Sequence, residues 1–420
     1  MIKKTIKLAI LLSLAVLCLL VCGTAHADGA ETLRFPNGTE TAADAAELDL
    51  STLTHKDLDE AIALLEQMPK LSYVDLGADC AVTRLEQDGT PLPTPTRVWT
   101  SDYLAQQDIL APETDEERLS WKDIRRLMDA VPNAKVEYRF HIGDLQFSTR
   151  SAKMDINHIR FDDEGALIRE ILPCMQRLRT LDMDFCGVSS ERMAEIRDAY
   201  PSVNVIWRVW FGENCSVRTD VTRLLVSAIY GITDANTSEL RYCTKVKYLD
   251  LGHDGISDIR FVSEMRDLEV LIISLTNWYD LTPITGLEKL EFFEACCSGH
   301  GGVYDLSPIG TCPNLKHVNI CVLGEVTGYE SFVNLSKLER LWIGYATDVP
   351  QEWVDEIQKA VPQAEINTTE PTGCNGTWRY GSNGELVPRY AELRRQFDYD
   401  NFNTVVAFLY NDPLYALPKR

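Results

Sequence analysis

An α/β solenoid with a parallel concave sheet is the fold this sequence predicts, with convex helices in the N-terminal half and shorter crossings in the C-terminal half. Three observations carry the prediction. The phrase WYDLTPI at 278–284 returns as VYDLSPI at 303–309. A short apolar alternation recurs at steps of 25, 22, 22, 25 and 23 residues from 221 onward. Amphipathic stretches, each ending at a proline, precede several strands of the first half.

The chain opens with Lys3, Lys4 and Lys7, an apolar run from Leu8 to Val21, and Ala25-His26-Ala27. A positive start, a short apolar core and an A-x-A site read as a secretory signal peptide over 1–27. The run is too short for a spanning helix. Val21 stands where a lipoprotein signal wants a small residue, which argues against lipidation at Cys22. No C-terminal sorting signal is visible in ALPKR. No later apolar run reaches membrane length, so the expected location is secreted or extracellular, with no transmembrane segment after signal removal.

The full chain carries a formal charge of −22, and loss of the three leader lysines takes it to −25. Such an acidic surface repels phosphate backbones, so nucleic acid is excluded as a partner. Ten cysteines follow the leader, and export permits disulfides. None forms a C-x-x-C pair, so no zinc ribbon or thioredoxin-like motif is written.

Residues 28–370 read as the solenoid. In the first half, LDL (48–50), LSYVDL (71–76) and LRTLDM (178–183) are strands. KDLDEAIALLEQMP, WKDIRRLMDAVP and ERMAEIRDAYP are helices stopped at Pro69, Pro132 and Pro201, and EWVDEIQKAVP matches them at 352–362. Residues 80–118, with DGTPLPTPTR, are an insertion of turn formers. VEYRFHIGD (136–144) parallels VIWRVWFGE (205–213), placing Arg139 with Arg208 and Gly143 with Gly212. The expected role is a structural hairpin or extended strand whose arginine caps carbonyls.

The second half aligns on L-x-x-L-x-L as VTRLLV, VKYLDL, LEVLII, LEFFEA, LKHVNI and LERLWI. The apolar alternation suits short strands with one buried face. An apolar-x-Asp-apolar element follows at 256–259, 278–281 and 303–306 and closes the turn. One turn cannot bury its own apolar edge, whereas stacked turns share a core.

Residues 221–349 resemble bacterial leucine-rich repeats of the internalin type, with units of about 22 residues. The departure is the usual Asn position, held here by Asp254, Thr276, Ser298, Leu323 and Ala346. Its backbone bonds must therefore be satisfied differently. Residues 371–420 lack the repeat and read as a capping segment with a short helix near 388–397.

The stretch CCSGHGG (296–302) places a thiol near His300, but no third group completes a catalytic set. No hydrolase, zincin or Walker motif occurs, so the chain is not expected to be an enzyme and no cofactor is implied. No calcium loop supports a metal role for the acids or for His253-Asp254. Cys296 and Cys321 share one slot on adjacent turns. Equivalent side chains on parallel strands point the same way, so reduced thiols are expected there. Cys186, Cys243 and Cys312 fall on core slots as small hydrophobes.

Residues between the apolar strand positions point out of the concave sheet. They are Tyr248, Asp250; Val270, Ile272; Phe292, Glu294; His317, Asn319; Arg340, Trp342. A contiguous apolar group there implies a ligand site, unless the insertion or the tail covers it. The expected function is a recognition or adhesion scaffold binding a protein or peptide. Central anchors would be Ile272 and Phe292, flanked by Tyr248, Val270 and Trp342, with Asp250, Glu294, His317 and Arg340 setting orientation. The alternatives are a glycan-binding surface protein stacking sugars on Tyr248, Phe292 and Trp342, and a cryptic hydrolase at Cys297.

Overall fold

The computed structural model describes residues 31–78, 119–161, 163–211, 215–227, 232–298, 302–344, 346–369, 376–381 and 383–401. The expected signal peptide, the insertion over 80–118, His300 and the chain end beyond 401 lie outside them. The described chain forms two compact units, one of residues up to 154 with 161–179, the other of 155–160 with 180 onward.

In the first unit Glu47–Asp49, Tyr73–Ala78 and Lys135–Ile142 pair in parallel, and Leu145–Ser148 returns antiparallel to the last. Helices Leu58–Leu65, Trp121–Ala130 and Ala166–Ile171 pack with them. Every second strand residue enters the core, as Leu48, Val74 and Val136 do beside Leu58, Ile124 and Leu127. Ser120 starts its helix with a reciprocal capping box to Asp123.

The second unit is dominated by seven parallel strands in chain order: Arg223–Leu225, Tyr248–Asp250, Val270–Ile272, Phe292–Glu294, His317–Asn319, Arg340–Trp342 and Glu365–Asn367. Each strand pairs with the next without slippage, so Leu224, Leu249, Leu271, Phe293, Val318 and Leu341 form one row. All six are buried. Short 3-10 turns cross back over Ser238–Tyr242, Arg260–Glu264, Thr282–Ile284, Ile309–Thr311 and Tyr329–Asn334. The helix Gln351–Ala360 then leads to the seventh strand, which has no L-x-x-L-x-L block to announce it.

The repeated YDL phrase has a backbone cause. Asp258, Asp280 and Asp305 each accept, through Oδ1, the backbone N–H two residues on, at 2.8–2.9 Å. Such an aspartate holds its turn by mimicking a backbone bond, so every coil needs one. The missing Asn ladder is replaced by hydroxyls. Thr276 Oγ1 and Ser298 Oγ both donate to the Ile273 carbonyl, at 2.7 and 3.1 Å. Thr347 Oγ1 donates to the Ile320 carbonyl at 2.7 Å.

The duplicated phrases are antiparallel hairpins, Lys135–Ile142 with Leu145–Ser148 and Arg208–Phe211 with Cys215–Arg218. Thr149 and Thr219 close them alike, accepting from Tyr138 N and Trp207 N at 3.1 and 3.2 Å. Both arginines bond carboxylates, which corrects the expected carbonyl capping. Arg139 reaches Asp75 at 2.9 Å, and Arg208 grips Asp184 with two bonds of 2.9 Å.

Cys186, Cys243 and Cys312 are buried thiols in the expected core slots. Burial pushes Cys243 up to about 12 and Cys312 up to about 11, which keeps both protonated. Cys321 keeps its thiol, as expected, but Cys296 is disulfide-bonded, a correction. Among the described residues no helix is long and apolar enough to cross a membrane.

The two arginines should differ in weight. Arg208 and Asp184 are 8% and 7% exposed, Arg139 and Asp75 36% and 27%. Removing Arg208 leaves Asp184 only the more distant Arg218, 3.5 Å away, and loss of a buried partner costs up to about 3–5 kcal/mol. An exposed pair contributes up to about 1 kcal/mol. Thermal unfolding of Arg208→Ala should therefore show a large drop in Tm, and that of Arg139→Ala a small one.

Candidate functional site

Three-residue strands turn their middle side chain into the coil and the first and third outward. The outward rows of the seven-stranded sheet contain every residue proposed above for ligand binding. They were expected to face solvent. Instead Val270, Ile272, Phe292, Glu294, His317, Asn319 and Trp342 are buried, as is Asp250, while Tyr248 and Arg340 are half-buried. This corrects the expected exposed apolar group.

The cover is the C-terminal segment 376–401. Trp378, Tyr390, Leu393 and Phe397 join Leu225, Val270, Ile272, Phe292 and Trp342 in one apolar cluster. Tyr390, Leu393 and Phe397 lie on one stripe of the helix Pro388–Phe397, at the i, i+3, i+7 spacing of an amphipathic face. Trp378 sits 5.4 Å from both Phe292 and Trp342, ring centre to ring centre. Phe397 meets Tyr248 edge-on at 6.3 Å.

Polar contacts fix the register of this segment. Glu294 has no exposed surface. Its carboxylate accepts from Trp378 Nε1 at 2.6 Å, from Arg379 Nη2 at 3.2 Å and from Ser274 Oγ at 3.1 Å. Asp250 accepts from the Tyr399 hydroxyl and, at 2.9 Å, from Gly252 N. Arg340 donates to the carbonyls of Trp378 and Thr377 at 3.0 and 2.9 Å, and its guanidinium lies 4.1 Å from the Trp342 ring centre. Arg223, on the first strand, donates to the Gln396 carbonyl at 2.7 Å. Asn367, on the seventh, donates to Thr377 Oγ1 at 3.3 Å.

Burial sets the protonation of this face. It pushes Asp250 up to about 6, although the Tyr399 and Gly252 bonds pull the other way. It raises Tyr390 to about 12, and with Asp250 beside it Tyr399 lies well above the phenol range. His317 is driven down to about 3 by burial, with Arg389, Arg340 and Lys316 adding to the effect, so its ring is neutral.

Openings remain along the seam among the described residues. A groove of about 560 Å³ is lined by Lys316, His317, Glu339, Arg340, Arg389 and Glu392 among others. A smaller cavity of about 260 Å³ is lined in part by Asp250, Ile272, Glu294, Arg379, Tyr390 and Tyr399. Among the described residues no group of His, Cys, Asp or Glu could hold a metal ion. His253 is exposed while its neighbour Asp254 is buried. Cys297, the hydrolase candidate, is a half-buried thiol next to the disulfide-bonded Cys296.

The chain matches no family model and no curated protein. Among solved structures it is similar to a leucine-rich repeat protein of Leptospira interrogans, at 15% identity and a TM-score of 0.31, over 72% of this chain and 74% of that one. It is also similar to two internalins of Listeria monocytogenes. One has 14% identity and a TM-score of 0.28, over 62% of this chain and 79% of its own. The other has 12% identity and a TM-score of 0.28, over 62% and 90%. The parallel strand register stands on the chain's own pairing.

Phe292 and Trp342 now read as packing residues. Phe292→Ala and Trp342→Ala should each cost about 3–5 kcal/mol, seen as a lowered Tm in calorimetry. Asp250 gives a pH signature. Its carboxyl titrates near 3.8 when unfolded and near 6 when folded, so the folded state holds the proton over that interval. Folded-state stability from this group is full below about 4 and is lost as pH rises through about 6, by on the order of 3 kcal/mol. Compared at each pH with Asp250→Asn, the wild type should lose Tm between pH 4 and 7.

Proposed function

We propose that this chain is a secreted, non-catalytic scaffold of the leucine-rich repeat type that binds a protein or peptide on the outer face of its seven-stranded sheet. In this reading residues 376–401 occupy the face until a partner replaces them. One observation carries it. The face already holds a polypeptide, with apolar burial for affinity and directed bonds for register. Ile272, Phe292 and Trp342 act as anchors, and Asp250, Glu294 and Arg340 read hydrogen-bonding groups of the bound segment.

Secretion is supported by the leader-like start and by a disulfide at Cys296, which requires an oxidising compartment. The glycan alternative loses two of its three platforms, since the rings of Phe292 and Trp342 are packed against Trp378. A hydrolase at Cys297 gains no support from the described residues.

The test uses the full chain and a fluorescent peptide of residues 376–401. Leu393→Asp weakens the internal segment, and circular dichroism checks that the variant is folded. Fluorescence anisotropy should show peptide binding to this variant and at least tenfold weaker binding to the wild type, whose face is occupied. Adding Glu294→Ala should remove the binding gained. A folded Leu393→Asp chain that ignores the peptide would end this reading.

A further inference from the structure

The 560 Å³ groove runs between the sheet and the covering helix Pro388–Phe397. Lys316, His317 and Arg340 stand on its sheet wall, and Arg389 and Arg395 on its helix wall. Two of its three acids are answered within the groove. Glu291 pairs with Lys316 at 3.0 Å, and Glu392 with Arg389 at 2.7 Å. The third, Glu339, is 57% exposed and keeps its hydration. Four cations therefore face three acids, in a chain whose formal charge is −22. Arg395 is exposed and has no ion pair among the described residues.

A second observation is independent of this charge count. His317 lines the groove, is 7% exposed, and makes no hydrogen bond through its ring among the described residues. Its Nδ1 is buried without a partner. Its Nε2 faces Glu339, another lining residue, at 3.9 Å, which is too long for a hydrogen bond. A neutral imidazole carries one N–H and one lone pair. Buried N–H groups are orphaned less often than buried acceptors, so the proton belongs on Nε2, the nitrogen turned toward the groove. That N–H lacks an acceptor. Burial, and then Arg389, Arg340 and Lys316, keep the ring from taking a second proton, so cations dominate the field around it.

We propose that this groove binds an aliphatic carboxylate. A carboxylate brings one negative charge and two acceptor oxygens. One oxygen suits the Nε2–H of His317, and the other suits the guanidinium of Arg395. The volume exceeds what a bare ion fills, and Val387 and Pro388 give the lining an apolar side for the attached methylenes. Such a group could come from a free acid or from a glutamate side chain of another protein. The proposal does not rest on displacement of residues 376–401, because Arg389 and Arg395 form one wall of the groove. A bound carboxylate would hold that segment in place.

Isothermal titration of the full chain with sodium butyrate tests it, with 1-butanol and sodium chloride as matched controls. Saturable millimolar binding of butyrate is expected, at least tenfold tighter than butanol, with no response to chloride beyond ionic strength. Arg395→Glu, a change at an exposed position, should weaken butyrate binding at least tenfold. Glu339→Gln removes a repulsive charge and should tighten it severalfold. In NMR titrations the His317 pKa should rise from about 3 as butyrate saturates the groove. A capped tripeptide with a central glutamate separates the sources. Binding as tight as butyrate assigns the site to a protein side chain, and binding of the small acid alone assigns it to a free ligand; both support the site. Equal binding of butanol, no heat with butyrate, an unchanged Arg395→Glu chain or an unmoved His317 pKa would overturn it.

Discussion

The buried carboxylate of Glu294 is the constraint on which the arrangement of the second unit turns. An ionised acid without exposure is tolerated only when its oxygens are bonded and its charge is answered. Ser274 supplies one bond from the turn after the neighbouring strand, and the other two come from Trp378 and Arg379. A sheet that places glutamate on its outer face between Phe292 and Trp342 therefore requires a cover with an indole N–H and a guanidinium. The segment 376–401 is that cover, and Arg340 holds its backbone at Thr377 and Trp378.

Repetition supplies the platform. Side chains at equivalent positions stack because each turn adds one strand without slippage, so one outward residue per turn builds a row. The same regularity explains the left-handed residues that follow the strands. His253, Leu275 and Cys297 hold φ of 64°, 58° and 55°. That conformation costs non-glycine residues of order 1 kcal/mol or more. It persists because each N–H then donates to the next turn, at Ser274 O, Cys296 O and Cys321 O, at 2.9–3.0 Å. Local strain is offset by a bond between turns.

Much of this was legible in the sequence. The repeat alignment placed nine strands between 48 and 343 to within about two residues, because a buried row needs the same residue type at the same step, whereas Lys135–Ile142 and Asn204–Ile206 carry no such block. Proline stops located the helices. The aspartate phrase was recognised as a turn, although its bond to the second following N–H was not. The cover was harder to read. Periodicity says which way a side chain points but not what lies over it, and 371–420 has no repeat to align. Two signals were present. Val270, Ile272, Phe292 and Trp342 stood where polar residues belong, and Tyr390, Leu393 and Phe397 formed an apolar stripe with no assigned partner. Neither signal names the other without the hydrogen bonds of Glu294 and Asp250.

The same carboxylates limit what can take the place of this segment. A purely apolar helix could refill the contacts of Phe292 and Trp342, but it would leave Glu294 and Asp250 buried without Trp378, Arg379 and Tyr399. Losing one partner of a buried charge costs several kcal/mol, comparable to the whole gain from burying one or two large side chains. A partner able to compete must therefore present N–H or O–H donors at both acids as well as apolar anchors. Shape selects for a helix-bearing segment of any sequence, whereas the two acids select for an aromatic and basic one. If a partner does replace this segment, as proposed, specificity on this face would reside in its least hydrophobic residues.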